Sequence, residues 1–161
     1  MAKKTKVKKT LVEQILTKSG VSHKGIQINA LEGELPSEYE RNHIFKTLAL
    51  LGDKTGPVIG IVPITEHLSE KKLAKISGNK KVSMIPQKDL EKTTGYIHGA
   101  NNPVGIRQKH NYPIYIDETA LELEKMIVSA GEVGHSIIIT PKDLANFVKA
   151  SFVDILEESN S

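Results

Sequence analysis

Two spacings of apolar residues alternate along this chain. Leu11, Val12, Ile15 and Leu16 recur at helical intervals. Thr10 with Glu13 three residues later makes a capping-box pattern ahead of them, and Gly20 can close the end, which predicts a short amphipathic helix. IQINAL (26–31) reads as a strand, and GELPSEYERN as a polar connection with room for a helical turn. HIFKTLALL and PVIGIVPI are apolar runs of strand length joined by the turn-rich GDKTG, the signature of a hairpin of two partly buried strands. Residues 69–76 predict a helix closed near Gly78, KVSMI a strand, and PQKDLEK a short helix with Pro86 at its first turn. TTGYIHGANNPVGI (93–106) reads as a loop. YPIYI follows as a strand, ALELEKMIVSAG passes from helical or irregular to strand, and HSIIIT is a strand. TPKDLANFVKA is the best-signalled helix, with Thr140 as N-cap, Pro141 at the first position and Asp143 three residues beyond the cap. Strands outnumber helices and come in hairpin-like succession. The expected fold is therefore α/β, a compact mixed sheet with peripheral helices rather than a doubly wound one.

At 161 residues the chain is long enough for one core of useful volume, so a single domain is expected. The absence of Cys excludes a disulfide framework, a thiolate zinc site and a cysteine nucleophile. MAKKTKVKK is basic, but Glu13, Gln14 and Lys18 interrupt the segment where a signal peptide needs an apolar run. No stretch approaches the ~20 apolar residues of a membrane span. The expectation is a cytoplasmic protein with no membrane partner. The net charge of +3 is concentrated in Lys3, Lys4, Lys6, Lys8 and Lys9; without those five, 17 basic residues stand against 19 acidic ones. Residues 1–9 are accordingly expected to be a flexible basic arm, and residues 10–161 the domain. Lysines also cluster in SEKKLAKISGNKK, and basic residues in RQKH. Such clusters suit a polyanionic partner and suit equally a solvated helix face.

Six histidines are scattered without the spacing of a metal site, and neither GxxxxGK[ST] nor GxGxxG occurs, so no metal and no cofactor are expected. Ser129 has small neighbours but no GxSxG context, and His135 is at best a speculative base for it. Lys46 is the one charged residue that looks out of place. Strand alternation puts it with Ile44, Leu48 and Leu50, while Phe45, Thr47, Ala49 and Leu51 make an opposite face that is hardly more polar. A lysine there either carries its ammonium to an edge or points into a cavity that holds an anion or a carbonyl.

FKTLAL, VPITEHLSEKKLAKISGNKKVSMI, TTGYIHGANNPVGI, PIYID and IVSAGEVG, in that order and spacing, resemble the freestanding aminoacyl-tRNA deacylases of the YbaK and EbsC family, relatives of the editing domain inserted in bacterial prolyl-tRNA synthetase. The likeness runs from about residue 10 to residue 156. Its motifs are a lysine in a (Y/F)KTL strand, a GxxxP loop and a VSAGxxG strand with its turn, and it points to the EbsC-like branch of Cys-tRNA(Pro) deacylases. The resemblance implies a largely antiparallel, partly barrel-like sheet. It implies hydrolytic editing of mischarged tRNA, removing Cys from Cys-tRNA(Pro) and also from Cys-tRNA(Cys), with the substrate thiol attacking its own ester. Aminoacyl-tRNA, tRNA(Pro) foremost, would be the substrate and prolyl-tRNA synthetase a candidate partner. Ala-tRNA(Pro) deacylation and a catalytically silent tRNA- or synthetase-binding module stand as the alternatives.

Carried over by position, Lys46 matches the lysine that holds the terminal adenosine of the charged tRNA. Gly99 and Pro103 match the GxxxP loop, whose backbone lines the aminoacyl pocket. Gly99 and Ala100 let a substrate carbonyl approach the main chain and offer amides to it, which makes them, with Lys46, the catalytic candidates. Pro103 would stiffen the exit of the loop. Tyr96, Asn101, Asn102, Pro103, Ser129 and Gly131 are the substrate-binding candidates, Ser129 matching a pocket serine. The chain departs from the family in three places. Ser136 stands where many members are acidic, Leu31 falls where an aromatic is common, and the segment between that early strand and Lys46 is shorter. Each bears on amino acid preference more than on reaction type.

Overall fold

The computed structural model describes residues 9–28 and 39–158. Helix α1 (Leu11–Lys18) opens on the reciprocal bonds of its capping box: Glu13 N donates to Thr10 Oγ1 at 3.2 Å and Thr10 N donates to Glu13 Oε2 at 3.0 Å. Val12 and Leu16 then enter the main core. Strand β1 (Lys24–Ile26) starts earlier than the strand expected over 26–31, set by its pairing with the later strand at residues 135–139; residues 29–31 of the expected strand lie outside the described residues. Residues 29–38, Leu31 among them, lie outside the described residues, as do residues 1–8 of the basic arm.

The hairpin forms as expected. Strands β2 (Phe45–Gly52) and β3 (Gly56–Pro63) pair antiparallel from Phe45 opposite Pro63 to Gly52 opposite Gly56. Its turn is fixed from outside: Asn79 Oδ1 accepts from the N–H groups of Lys54 and Thr55, at 2.7 and 3.0 Å, and Asp53 Oδ1 accepts from those of Lys80 and Lys81. Helix α2 (Glu70–Ser77) is capped by Ser69 and closed by Gly78 at φ +83°. Strand β4 (Val82–Met84) and helix α3 (Gln87–Thr94) follow. The segment read as one loop ends instead in a helix, α4 (Pro103–Lys109), with the Asn102 side chain as its N-cap and Pro103 at its first position. Next come β5 (Ile114–Asp117), β6 (Met126–Glu132), β7 (His135–Ile139) and α5 (Pro141–Val148). Thr140 occupies the N-cap of α5 without a side-chain cap bond. A last strand, β8 (Ser151–Val153), has no counterpart in the sequence reading.

The strands form two sheets. One has the order β4-β2-β3-β5-β8, antiparallel on the β2 side and parallel from β3 to β8; the other, β1-β7-β6, is antiparallel. A bridge between Ile44 and Ile127 links them. The main core fills the space between the sheets with Phe45, Ile59, Ile61, Ile116, Val128 and Ile137. A second cluster, Leu50, Val58, Val62, Leu73 and Ile155, packs on the outer face of the five-stranded sheet beneath α2. That is why both faces of the β2–β3 hairpin are apolar: alternate residues feed two different cores. Among the described residues no helix is long and apolar enough to cross a membrane.

Candidate functional site

Strand β4 pairs with β2 only along residues 50–52, and one further bond, Ile85 N to Ala49 O at 3.1 Å, ends the contact. The chain then turns away into α3. Among the described residues, 46–48 have no strand neighbour on that side. A cavity of about 300 Å³ opens there. Phe45, Lys46, Thr47, Leu48 and Ala49 form one wall, Met84, Ile85, Gln87 and Leu90 a second, and His98, Gly99 and Asn101 with Ser129 of β6 the third. The lining is mostly apolar, and its volume is at the low end of small-molecule pockets.

Lys46 sits half-buried on this wall. Burial alone pushes its ammonium below the ordinary lysine range, and no protein anion or acceptor offsets that among the described residues.

The loop facing it is shaped by Gly99, at φ +91°, in a turn closed by Ala100 N donating to Ile97 O at 3.0 Å. Ala100 therefore has no free amide to offer a carbonyl, contrary to the expectation. The Gly99 N–H donates to no main-chain acceptor among the described residues, and Gly99 O accepts a long bond, 3.4 Å, from Ser129 Oγ. Asn101 is buried and donates from Nδ2 to Thr47 O at 3.0 Å. Two buried side-chain atoms among the described residues lack any hydrogen-bond partner, Thr47 Oγ1 and Asn101 Oδ1, and both residues line this cavity.

Of the residues expected at the site, then, Lys46, Gly99, Asn101 and Ser129 come together around the cavity. Ala100, Tyr96, Asn102, Pro103 and Gly131 do not line it; they build the loop from behind. Asn102 is fully buried, accepting from Gly105 N at 2.6 Å through Oδ1 and donating from Nδ2 to Ala100 O at 3.0 Å. Pro103 starts a helix rather than stiffening a loop exit. Gly131, at φ +95° beside a bulge in the β6–β7 pairing, gives its N–H to Ser129 Oγ at 3.1 Å. Tyr96 lies under the Lys109 ammonium, 4.5 Å from its ring centre. His135 cannot serve Ser129 as a base, because strand alternation turns it to the other face, where it lines a different hollow with Glu13 and Gly25. Ser136 is buried and donates to Ile28 O at 3.1 Å.

Sequence reasoning missed Thr47, His98, Met84 and Gln87 as lining residues; Met84 and Gln87 reach the wall where β4 stops pairing and the chain turns into α3. The structure also divides the basic clusters. Arg107 is committed to the carbonyls of Val148 and Tyr112 and to the Asn111 side chain, and Lys72 to Asp154 and Glu158, whereas Lys71, Lys75, Lys80 and Lys81 are exposed.

Chemically, the cavity offers a cation, a hydroxyl and apolar walls, and its lining includes Gly99, whose N–H has no acceptor among the described residues. Among the described residues no carboxylate lines the cavity, and His98 is an exposed rim residue. Such a site can hold and polarise a carbonyl, but it carries little to deprotonate a nucleophile.

A family model described as the aminoacyl-tRNA editing domain matches residues 35–147. A curated relative from Enterococcus faecalis (strain ATCC 700802 / V583), EbsC, named for Cys-tRNA(Pro)/Cys-tRNA(Cys) deacylation, is 39% identical over 162 residues, spanning 96% of this chain and 98% of that one. A crystal structure described as a trans-editing enzyme for prolyl tRNA synthetase superposes with a TM-score of 0.80 at 24% identity, over 91% of this chain and 95% of the other. A scaffold protein used for epitope backbone grafting superposes with a TM-score of 0.79 at 25% identity, over 92% and 96%. The shared fold is thus the mixed α/β arrangement described above.

Proposed function

Because the chain belongs to the aminoacyl-tRNA editing family, we propose that it removes cysteine from mischarged Cys-tRNA(Pro), and from Cys-tRNA(Cys), by cleaving the ester to the terminal ribose. The observation that carries this reading is Lys46: a half-buried ammonium with no partner among the described residues, on the wall of an apolar cavity, facing a loop whose Gly99 N–H likewise has no acceptor among them. Lys46 holds the terminal adenosine at the mouth, and the aminoacyl group enters between β2 and the loop. The Gly99 N–H is directed to the ester carbonyl oxygen, where negative charge develops.

Among the described residues no carboxylate lines the cavity and His98 stands only at its exposed rim, which fits a nucleophile that arrives with the substrate. A cysteine thiol with pKa about 8.5 is a few per cent thiolate near neutrality, and its attack on its own ester is intramolecular. The sulfur–carbon bond forms as the thiol gives up its proton to water. The ester carbon–oxygen bond then breaks, and the ribose oxygen takes a proton from water. The product is a free tRNA 3′ end and a four-membered thiolactone, which water opens to cysteine. The protein's part is alignment, charge stabilisation and exclusion of bulk water.

Residues 10–161 are assigned as the deacylase domain and residues 1–9 as a phosphate-contacting arm. Prolyl-tRNA synthetase, the enzyme that loads tRNA(Pro), is the proposed protein partner, and the cytoplasm, where charged tRNA is made and used, the proposed location. Single-turnover rates on matched Cys-, Ser- and Ala-charged tRNA(Pro) test the reading. Cys should be cleared much faster than Ser despite their similar size, and a chelator should change nothing. Equal rates for Ser and Cys would remove thiol attack, and a preference for Ala would make water or a ribose hydroxyl the nucleophile.

A further inference from the structure

We infer that Asn101 is a positioning residue that sets the gap between the loop and the Lys46 strand, standing in for the strand neighbour that β2 lacks; the inference rests on the deacylase reading for its consequence but not for its geometry. Alternation along β2 directs the main-chain groups of Thr47 and Ala49 to the edge away from β3. Ala49 O is taken by Ile85 N, the last bond of the β4 side. The next carbonyl along that edge, Thr47 O, is taken by the Asn101 amide at 3.0 Å, across 54 residues of sequence. Among the described residues this is the one hydrogen bond that joins the loop to β2. The loop's other tether, Ser129 Oγ to Gly99 O, is long at 3.4 Å and runs to β6.

The chemistry of the side chain points the same way. Asn101 is buried with its Oδ1 unpaired, so its acceptor half is a net cost in this position. What the residue contributes is its donor half, and that donor goes to the residue next to Lys46. Gly99 lies two residues before Asn101 in the turn, so the bond fixes how far the Gly99 N–H stands from the Lys46 ammonium. A group held across that gap feels the bond without touching Asn101.

The test uses the full chain with Asn101→Leu, Asn101→Asp and Asn101→Gln. Leu keeps the volume and loses the donor, Asp places an acceptor against Thr47 O, and Gln keeps a donor on a longer arm. Two readouts are taken: amide hydrogen exchange across residues 96–102 and 45–49, and steady-state kinetics on Cys-tRNA(Pro). For Leu and Asp the expectation is faster exchange in the loop and a kcat lowered at least about tenfold, ~1.4 kcal/mol, with KM nearly unchanged; Gln should recover part of kcat. A folded Leu variant with loop exchange as in the wild type, or with kcat within twofold of it, would overturn the inference. A wild-type chain inert on every charged tRNA would sink the deacylase reading instead, and the exchange data alone would then decide the positioning role.

Discussion

The phenol of Tyr96 lies on the bare Cα of Gly105, so closely that a Cβ there would overlap the ring and its hydroxyl. The same ring passes 3.5 Å from where a Cβ of Gly131 would stand, so two glycines form the slot that holds it. Gly105→Ala should therefore cost about 1–3 kcal/mol by overpacking. Tyr96→Phe removes part of the clash, and the double variant should lose less than the sum of the singles. Chemical denaturation of the four proteins of the cycle measures this directly.

Lys46→Met should abolish most deacylation while leaving the protein as stable as the wild type or more so near neutral pH. The sign follows from the lowered pKa. Where both states hold the proton, the desolvated ammonium penalises the folded form. As pH rises through the folded-state value, the folded lysine releases its proton while the unfolded one keeps it, so the wild type gains stability up to the ordinary lysine range. The difference in Tm between variant and wild type should shrink across that alkaline window. A gap that widens there would contradict the desolvated lysine.

Asn102 serves α4 and the loop at once, through Oδ1 and Nδ2 respectively. Asn102→Ser keeps a capping oxygen and should cost less than Asn102→Ala, for which the lost cap alone costs about 0.5–2 kcal/mol. Thermal melts of the two variants rank them. An Ala variant as stable as Ser would show that Pro103 and burial alone start the helix.

Removing residues 2–9 tests the arm. If its lysines contact phosphates, tRNA binding should weaken and its dependence on salt should flatten by about 0.7–0.9 in log-log slope per lost contact, with kcat at saturating tRNA preserved. Charge reversal at the exposed Lys71 and Lys75 makes the parallel measurement for α2. An unchanged slope in either case would mark that segment as a solvated surface.

Local signals carried much of this architecture. The capping box of α1, the β2–β3 hairpin and the Ser69 and Gly78 ends of α2 were readable because each is decided by neighbours in sequence. Strand β8 was not, since three residues acquire strand geometry only through parallel pairing with β5. Helix α4 carried a legible Asn-Pro start, but it is seven residues long with Gly105 inside, and burial of Val104 and Ile106 holds it. At the site, Lys46 was visible as a charge in an apolar strand. Gly99, Asn101 and Ser129 came from motif likeness. The Ala100 amide failed as a donor because the turn that exposes Gly99 uses it.

A run of main chain at the side of a sheet is where another polypeptide can add itself as a further strand. Along residues 46–48 of β2, Thr47 is the one whose main-chain groups face the side away from β3. Asn101 occupies its carbonyl, and Lys46 places a cation on the strand, one of the devices by which sheets discourage edge-to-edge pairing. The features that line the cavity therefore also leave this edge ill-suited to receive a further strand.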